Sequence, residues 1–263
     1  MQDATFQTAL SGNAPAIRPL RWWDLALPLL AAGLALALVT AAVMIVAMGH
    51  GGVGFIEDLS RRFQAAGQGY YLNLSIMAVL YLPPIGLMFW LVRRKALEFF
   101  AAVPGRVIGW AFGGGILYAI AFEVVQDFLI EQKLVEFTPS PGELLLIPHD
   151  LRQLAFGLFV ASVIGPFAEE FYFRGFLLSW CRGKVALVWA ALINAVLFGI
   201  VHFYFLQHPG LEGIFVTTVI ALFGALNVWW TVRTGSLWPA FASHAAYNGA
   251  GLILMFLAPG SAT

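Results

Sequence analysis

The chain has 263 residues, of which 60% are hydrophobic and 11% charged, with a formal net charge of zero and a mean hydropathy of +0.83. A soluble domain carries about a quarter charged residues, so this composition excludes an ordinary water-solvated fold and makes lipid the expected solvent. The even charge balance excludes a polyanionic partner such as nucleic acid, whose binders gather Lys and Arg on one face.

Residues 1–22 read as a polar N-terminal segment, expected to be loosely ordered, and residues 23–263 as a single membrane-embedded domain. The first apolar run is too long for a cleaved signal and lacks a small-residue cleavage site, so it is expected to stay as an anchor. Apolar windows bounded by charges and Gly/Pro clusters place spans near residues 25–48, 70–92, 107–130, 151–171, 185–205, 212–232 and 237–257. The expected fold class is therefore all-α, a polytopic transmembrane helical bundle of about seven to eight spans. The fourth span is open to continuing as one long helix to Trp180.

Lys and Arg are enriched in short cytoplasmic segments. An inside N-terminus puts Arg18, Arg21, Arg93, Arg94, Lys95, Arg106, Arg174, Arg182, Lys184 and Arg233 on the inner side. Only Arg61, Arg62, Lys133 and Arg152 are then outside. The expectation is a multi-pass protein of the inner or plasma membrane with a cytoplasmic N-terminus. The stretch 131–150, with Glu136, Pro139, Pro141, Glu143 and Pro148, reads as an irregular acidic loop capping the outer face. Cys181 is the only cysteine, so its expected role is packing. His50, His149 and His208 fall in expected loops and are read as solvated, while Trp22-Trp23 and Trp229-Trp230 are read as interfacial anchors. The acidic pair Glu123 and Asp127 is read as either a cavity mouth or an interfacial position.

Ionisable groups inside a membrane are costly, and by default they mark function or pair with one another. Three places in the second half break the apolar pattern: Glu169-Glu170 with Arg174, Phe198 with His202, and His244 with Asn248. Glu170 and Arg174 are four apart with the acid first, the favoured order for an ion pair along a helix. Glu170 is thus the structural acid. Glu169 lies about 100° around the helix, so its carboxylate is expected to be uncommitted and to serve as general base. His244 and Asn248 share a helix face and can approach one object together, either an oxyanion or a metal. Together these residues supply a base, two imidazoles and an amide, the parts of a hydrolytic site.

The triplet Glu-Glu-x-x-x-Arg, Phe-x-x-x-His and His-x-x-x-Asn, in that order over residues 162–250, resembles the CAAX protease and bacteriocin-processing (CPBP, or ABI) family of intramembrane proteases. The first half resembles that family only in being hydrophobic. The resemblance implies an endopeptidase in which Glu169 and His202 activate water, His244 and Asn248 stabilise the oxyanion, and Glu170 and Arg174 support the site. The implied partners are membrane lipids and a peptide or lipid-anchored protein substrate. Glu169, His202 and His244 could also hold Zn²⁺ with one open position, but no His-Glu-x-x-His helix is present. The metal-free reading is favoured. Competing readings are an ion- or proton-coupled transporter, in which buried acids and histidines form a path, and a non-catalytic immunity or assembly protein. One geometric expectation conflicts with a common site. At about 1.5 Å per residue, Glu169 sits about 20 Å from the inner end, His202 about 30 Å and His244 about 12 Å, so a tilt, a break at Pro166 or a shifted boundary must reunite them.

Overall fold

The computed structural model describes residues 19–65, 68–136, 144, 146–208 and 210–257. Pro139, Pro141 and Glu143 of the expected acidic loop, and the first 18 residues with Arg18, lie outside this set. The helices are α1 (Trp22–Gly49), α2 (Val53–Ala65), α3 (Gly69–Lys95) and α4 (Gly105–Glu131). They continue with α5 (Leu151–Arg182), α6 (Leu187–Ile200), α7 (Tyr204–Gln207), α8 (Leu211–Thr234) and α9 (Trp238–Leu257). Among the described residues, seven spans are long and apolar enough to cross a membrane, with α6 and α7 counted together as Leu187–Gln207. The chain is an all-α, multi-pass membrane protein. The extra helix is α2, whose 13 residues fall short of the roughly 20 needed to span lipid.

Local chemistry explains the boundaries. The α5 start is capped by Asp150, whose carboxylate accepts the N–H groups of Arg152 and Gln153 at 2.8 and 2.7 Å, satisfying donors that the first helical turn leaves unpaired. The fourth span runs unbroken past Trp180, as the longer of the two sequence readings has it. At the basic end of the bundle, Lys95 pairs with Asp24 at 2.7 Å, tying the end of α3 to the start of α1. The α8–α9 turn is held against the α3–α4 connection: Leu237 N–H donates to Phe99 O at 2.8 Å and Ser236 Oγ donates to Ala101 O at 2.7 Å.

Lipid provides no hydrophobic drive between helices, so close association depends on small residues and polar partners. A Cβ on Gly115 of α4 would collide with the Ser243 carbonyl of α9. One on Gly199 of α6 would lie 2.6 Å from the Thr217 carbonyl of α8. These backbones therefore approach where a side chain cannot fit, and α9 is drawn against α4, α5 and α8. Cys181 is buried and free, in keeping with packing. His208 departs from expectation: it is buried and lies 2.9 Å from Glu212, one turn away along the chain.

Candidate functional site

The central helix α5 does not keep one winding. It passes through wider π turns at Val160–Ile164 and Phe171–Leu177, with the α-helical Gly165–Glu170 between them. Pro166 accounts for the first, because it lacks an N–H and cannot continue the ladder. Gly165 N–H reaches back five residues to Val160 O. The π partner of Ala161 O would be the N–H that Pro166 lacks. That carbonyl instead accepts from Asn248 Nδ2 of α9 at 2.7 Å. π turns of this kind are frequent at functional sites, and here they bracket the two glutamates.

The adjacent carboxylates have different surroundings. Glu170 is sealed, with 2% of its side chain exposed. Its Oε2 lies 3.1 Å from Arg174 Nε, while its Oε1 lies 2.8 Å from His244 Nδ1 and accepts from Asn227 Nδ2 at 3.2 Å. Arg174 also donates to Gly224 O at 3.0 Å and stands 4.0 Å above the Phe198 ring. The expected Glu170–Arg174 pair is present, and it carries a histidine that spacing alone did not connect to it. Buried charges require this density of partners, since an unpaired one costs several kcal/mol.

Glu169 is partly exposed, at 21% of its side chain. Contrary to expectation it is not uncommitted: Tyr81 of α3 donates its hydroxyl to Oε1 at 2.7 Å. The other oxygen, Oε2, faces His202 Nε2 at 3.7 Å and His244 Nε2 at 3.9 Å. Both gaps exceed hydrogen-bond length and suit a bridging water. The imidazole tautomers follow from their other nitrogens. His202 Nδ1 lies 2.7 Å from Phe198 O, and a carbonyl only accepts, so that nitrogen bears the proton. His244 Nδ1 likewise bears one towards the Glu170 carboxylate. In neutral rings both Nε2 atoms are then acceptors. Glu169 Oε2 and the two Nε2 atoms thus face one space.

Glu169 Oε2 meets both imidazoles in spite of the expected difference in depth. Helix α5 has π turns on both sides of Glu169. Helix α6 stops at Ile200, so His202 sits in the following turn and hydrogen-bonds back to Phe198. Phe198 itself earns its place in the motif: its carbonyl orients His202, and its ring contacts Arg174 and lies 5.6 Å from the His244 ring. Asn248 is one turn beyond His244 on α9, but its amide nitrogen spends one hydrogen on Ala161 O. A second N–H remains on that amide.

Sequence reasoning missed Tyr81, Asn194 and Asn227. Asn194 donates to Phe173 O at 2.7 Å within the second π turn. Both asparagines are polar residues inside apolar spans, a signal that was readable. Tyr81 had no such signal. Among the described residues, no three His, Cys, Asp or Glu side chains are drawn together as a ready metal site. In the set Glu169, His202 and His244, the two Nε2 atoms lie 3.7 and 3.9 Å from Glu169 Oε2.

Residues 151–250 match the family model described as type II CAAX prenyl endopeptidase Rce1-like. This segment is similar to Rce1-like domains. It begins one residue after the cap of α5 and ends within α9, so it takes in every site residue named from the sequence. The uncharacterized protein YyaK of Bacillus subtilis (strain 168) is 28% identical over 137 residues, covering 49% of this chain and 45% of that protein. The chain thus matches under half the length of that relative. No solved structure gives a significant match.

Proposed function

We propose that the chain is an intramembrane endopeptidase that activates water with Glu169 and His202. The observation that carries this reading is the convergence of Glu169 Oε2 with two imidazole Nε2 atoms at 3.7 and 3.9 Å. Glu169 Oε2, with His202 Nε2 beside it, takes a proton from the attacking water, which adds to the scissile carbonyl. The oxyanion forms towards His244 Nε2 and the second N–H of Asn248. His244 enters this step already protonated at Nε2, the proton taken from solvent before substrate binds, and Glu170 on Nδ1 is the counter-charge of the cationic ring, the role a buried acid takes behind a catalytic histidine. Collapse of the tetrahedral species returns the first proton to the leaving amine. Preorganised donors of this type are worth about 3 kcal/mol each.

The proposed substrate is a peptide or protein tail bearing a lipid anchor, in keeping with the prenyl endopeptidase family that residues 151–250 match. An apolar cleft of about 470 Å³ supports that choice. It runs between α4, α5 and α9 past Ser162, Ala246 and Gly249, beside the turn that carries His244 and Asn248. The proposed mechanism uses no metal, because a carboxylate and two imidazoles suffice to move the protons. The proposed topology has a cytoplasmic N-terminus in the inner or plasma membrane. Arg21, Arg93, Arg94, Lys95, Arg106, Arg182, Lys184 and Arg233 lie at one end of the spans, against Arg61, Arg62, Lys133 and Arg152 at the other. Arg174, counted from sequence as an inner charge, belongs to neither end because it is buried in the ion pair.

The test is cleavage of a prenylated peptide by the purified protein, with and without a chelator, beside Glu169→Gln. The expected outcome is wild-type cleavage that survives chelation and a loss on the order of 10³-fold in the variant. Chelator-sensitive cleavage would replace the metal-free mechanism with a zinc one. Equal rates in both proteins would remove Glu169 as base, and ion flux in liposomes without proteolysis would favour a transporter.

A further inference from the structure

We propose that Tyr81, on α3 and outside the Rce1-like segment, is a positioning residue that fixes which oxygen of Glu169 acts as base. The inference rests on the peptidase reading of the same site and adds a residue to it. A carboxylate has two chemically equivalent oxygens, and the terminal torsion of a glutamate is broad. An unrestrained Glu169 would present either oxygen, at varying angles, to the space shared by the imidazoles. The Tyr81 hydroxyl removes that freedom. Its 2.7 Å bond to Oε1 is a charge-assisted O–H···O⁻ contact, among the stronger hydrogen bonds a protein makes. Both imidazole approaches are then made to the remaining oxygen, Oε2.

The phenol suits this task better than a cation would. A Lys or Arg in its place would pair with the carboxylate and compete for the proton-accepting oxygen, whereas a neutral hydroxyl orients one oxygen and leaves the charge on the acid. The ring is seated as well as the hydroxyl. A Cβ built on Gly165 of α5, one turn before Glu169, would lie 3.5 Å from Tyr81 Cε2. The ring thus rests on the helix it serves. Holding a reacting group in its productive geometry contributes to rate with no change in the chemistry, and small misplacements cost up to about 100-fold.

Tyr81→Phe removes the hydroxyl and keeps the ring. It is compared with Tyr70→Phe, which deletes a buried hydroxyl that makes no hydrogen bond to protein. Two measurements on the full-length protein test the inference. In infrared spectra, the Glu169 carboxylate band is the one lost in Glu169→Gln, and it is expected to shift in Tyr81→Phe but not in Tyr70→Phe. In cleavage of the prenylated peptide, kcat of Tyr81→Phe is expected to fall on the order of 10-fold with KM unchanged. An unmoved band overturns the contact. A shifted band with unchanged kcat overturns the positioning role, and a change confined to KM assigns Tyr81 to substrate binding instead. A wild type that cleaves nothing overturns the peptidase reading and the positioning role with it, while the infrared shift still measures the contact.

Discussion

Helices α1 and α5 are similar in length, 28 and 32 residues, and both are apolar enough to span lipid. Their fates differ. The buried residues of α1 are Asp24, Leu25, Pro28 and Ala47, all near its ends, and none of its most apolar stretch is buried. Helix α5 lies at the centre of the bundle and encloses Ser162, Glu170 and Arg174. In water the more hydrophobic helix would be the more buried. In a bilayer a leucine gains nothing by leaving lipid for protein, so helices are drawn inward by polar groups that need partners. The comparison predicts that substitutions of charge in α5 are severe and substitutions of bulk in α1 are silent.

The largest expected effect is at Arg174. Arg174→Met keeps much of the side-chain volume but leaves the sealed Glu170 carboxylate without its cation, and it deletes the bond to Gly224 O and the contact with Phe198. Removing one partner of a buried ion pair costs about 3–5 kcal/mol. The measurement is thermal or denaturant unfolding in detergent. A variant within 1 kcal/mol of wild type, a difference of about fivefold in the folded ratio, would show that Glu170 draws its compensation from His244 and Asn227 alone.

A smaller effect is expected at Asn248, where the polar group satisfies a backbone irregularity instead of a charge. Asn248→Ala leaves Ala161 O unpaired beside Pro166, and hydrogen bonds between membrane helices are worth about 0.6 to 1.7 kcal/mol. The sharper form is a double-mutant cycle. Pro166→Ala restores an N–H that can reach Ala161 O in the π register, so Asn248→Ala should cost less stability in that background. Additive costs would place the Asn248 contribution elsewhere.

These cases also show what was legible before the structure. Span number followed from length and apolarity, since lipid thickness leaves few alternatives. The Glu170–Arg174 pair followed from a spacing of four, and it survives although the helix widens to a π turn just beyond Glu170. A uniform rise along straight helices placed Glu169, His202 and His244 at three depths, whereas the structure brings them to one space. A π turn has no periodic signature. Pro166 was the one residue that announced it. Tyr81 was invisible because its partner is 88 residues away and a tyrosine in an apolar span is ordinary. His208 was misread because the Pro and Gly that follow it suggested a solvated loop, whereas Glu212 one turn later gives it a partner.

The smallest expected effect returns to α1. Leu34 is 61% exposed on this helix, whereas Leu178 of α5 is 2% exposed. Leu34→Ala removes contacts with lipid in the folded state and the same contacts with lipid in the unfolded, still-inserted helix, so the two losses cancel. Its expected cost is under about 0.5 kcal/mol, within the range of exposed substitutions. Leu178→Ala opens a cavity that neighbouring side chains fill only in part, and with no transfer from water to lose, that cavity alone costs about 1–3 kcal/mol. Unfolding in one detergent measures both. Equal costs would mean that α1 packs against something along its lipid-facing length, and the contrast between an anchor helix and a site helix would have to be abandoned.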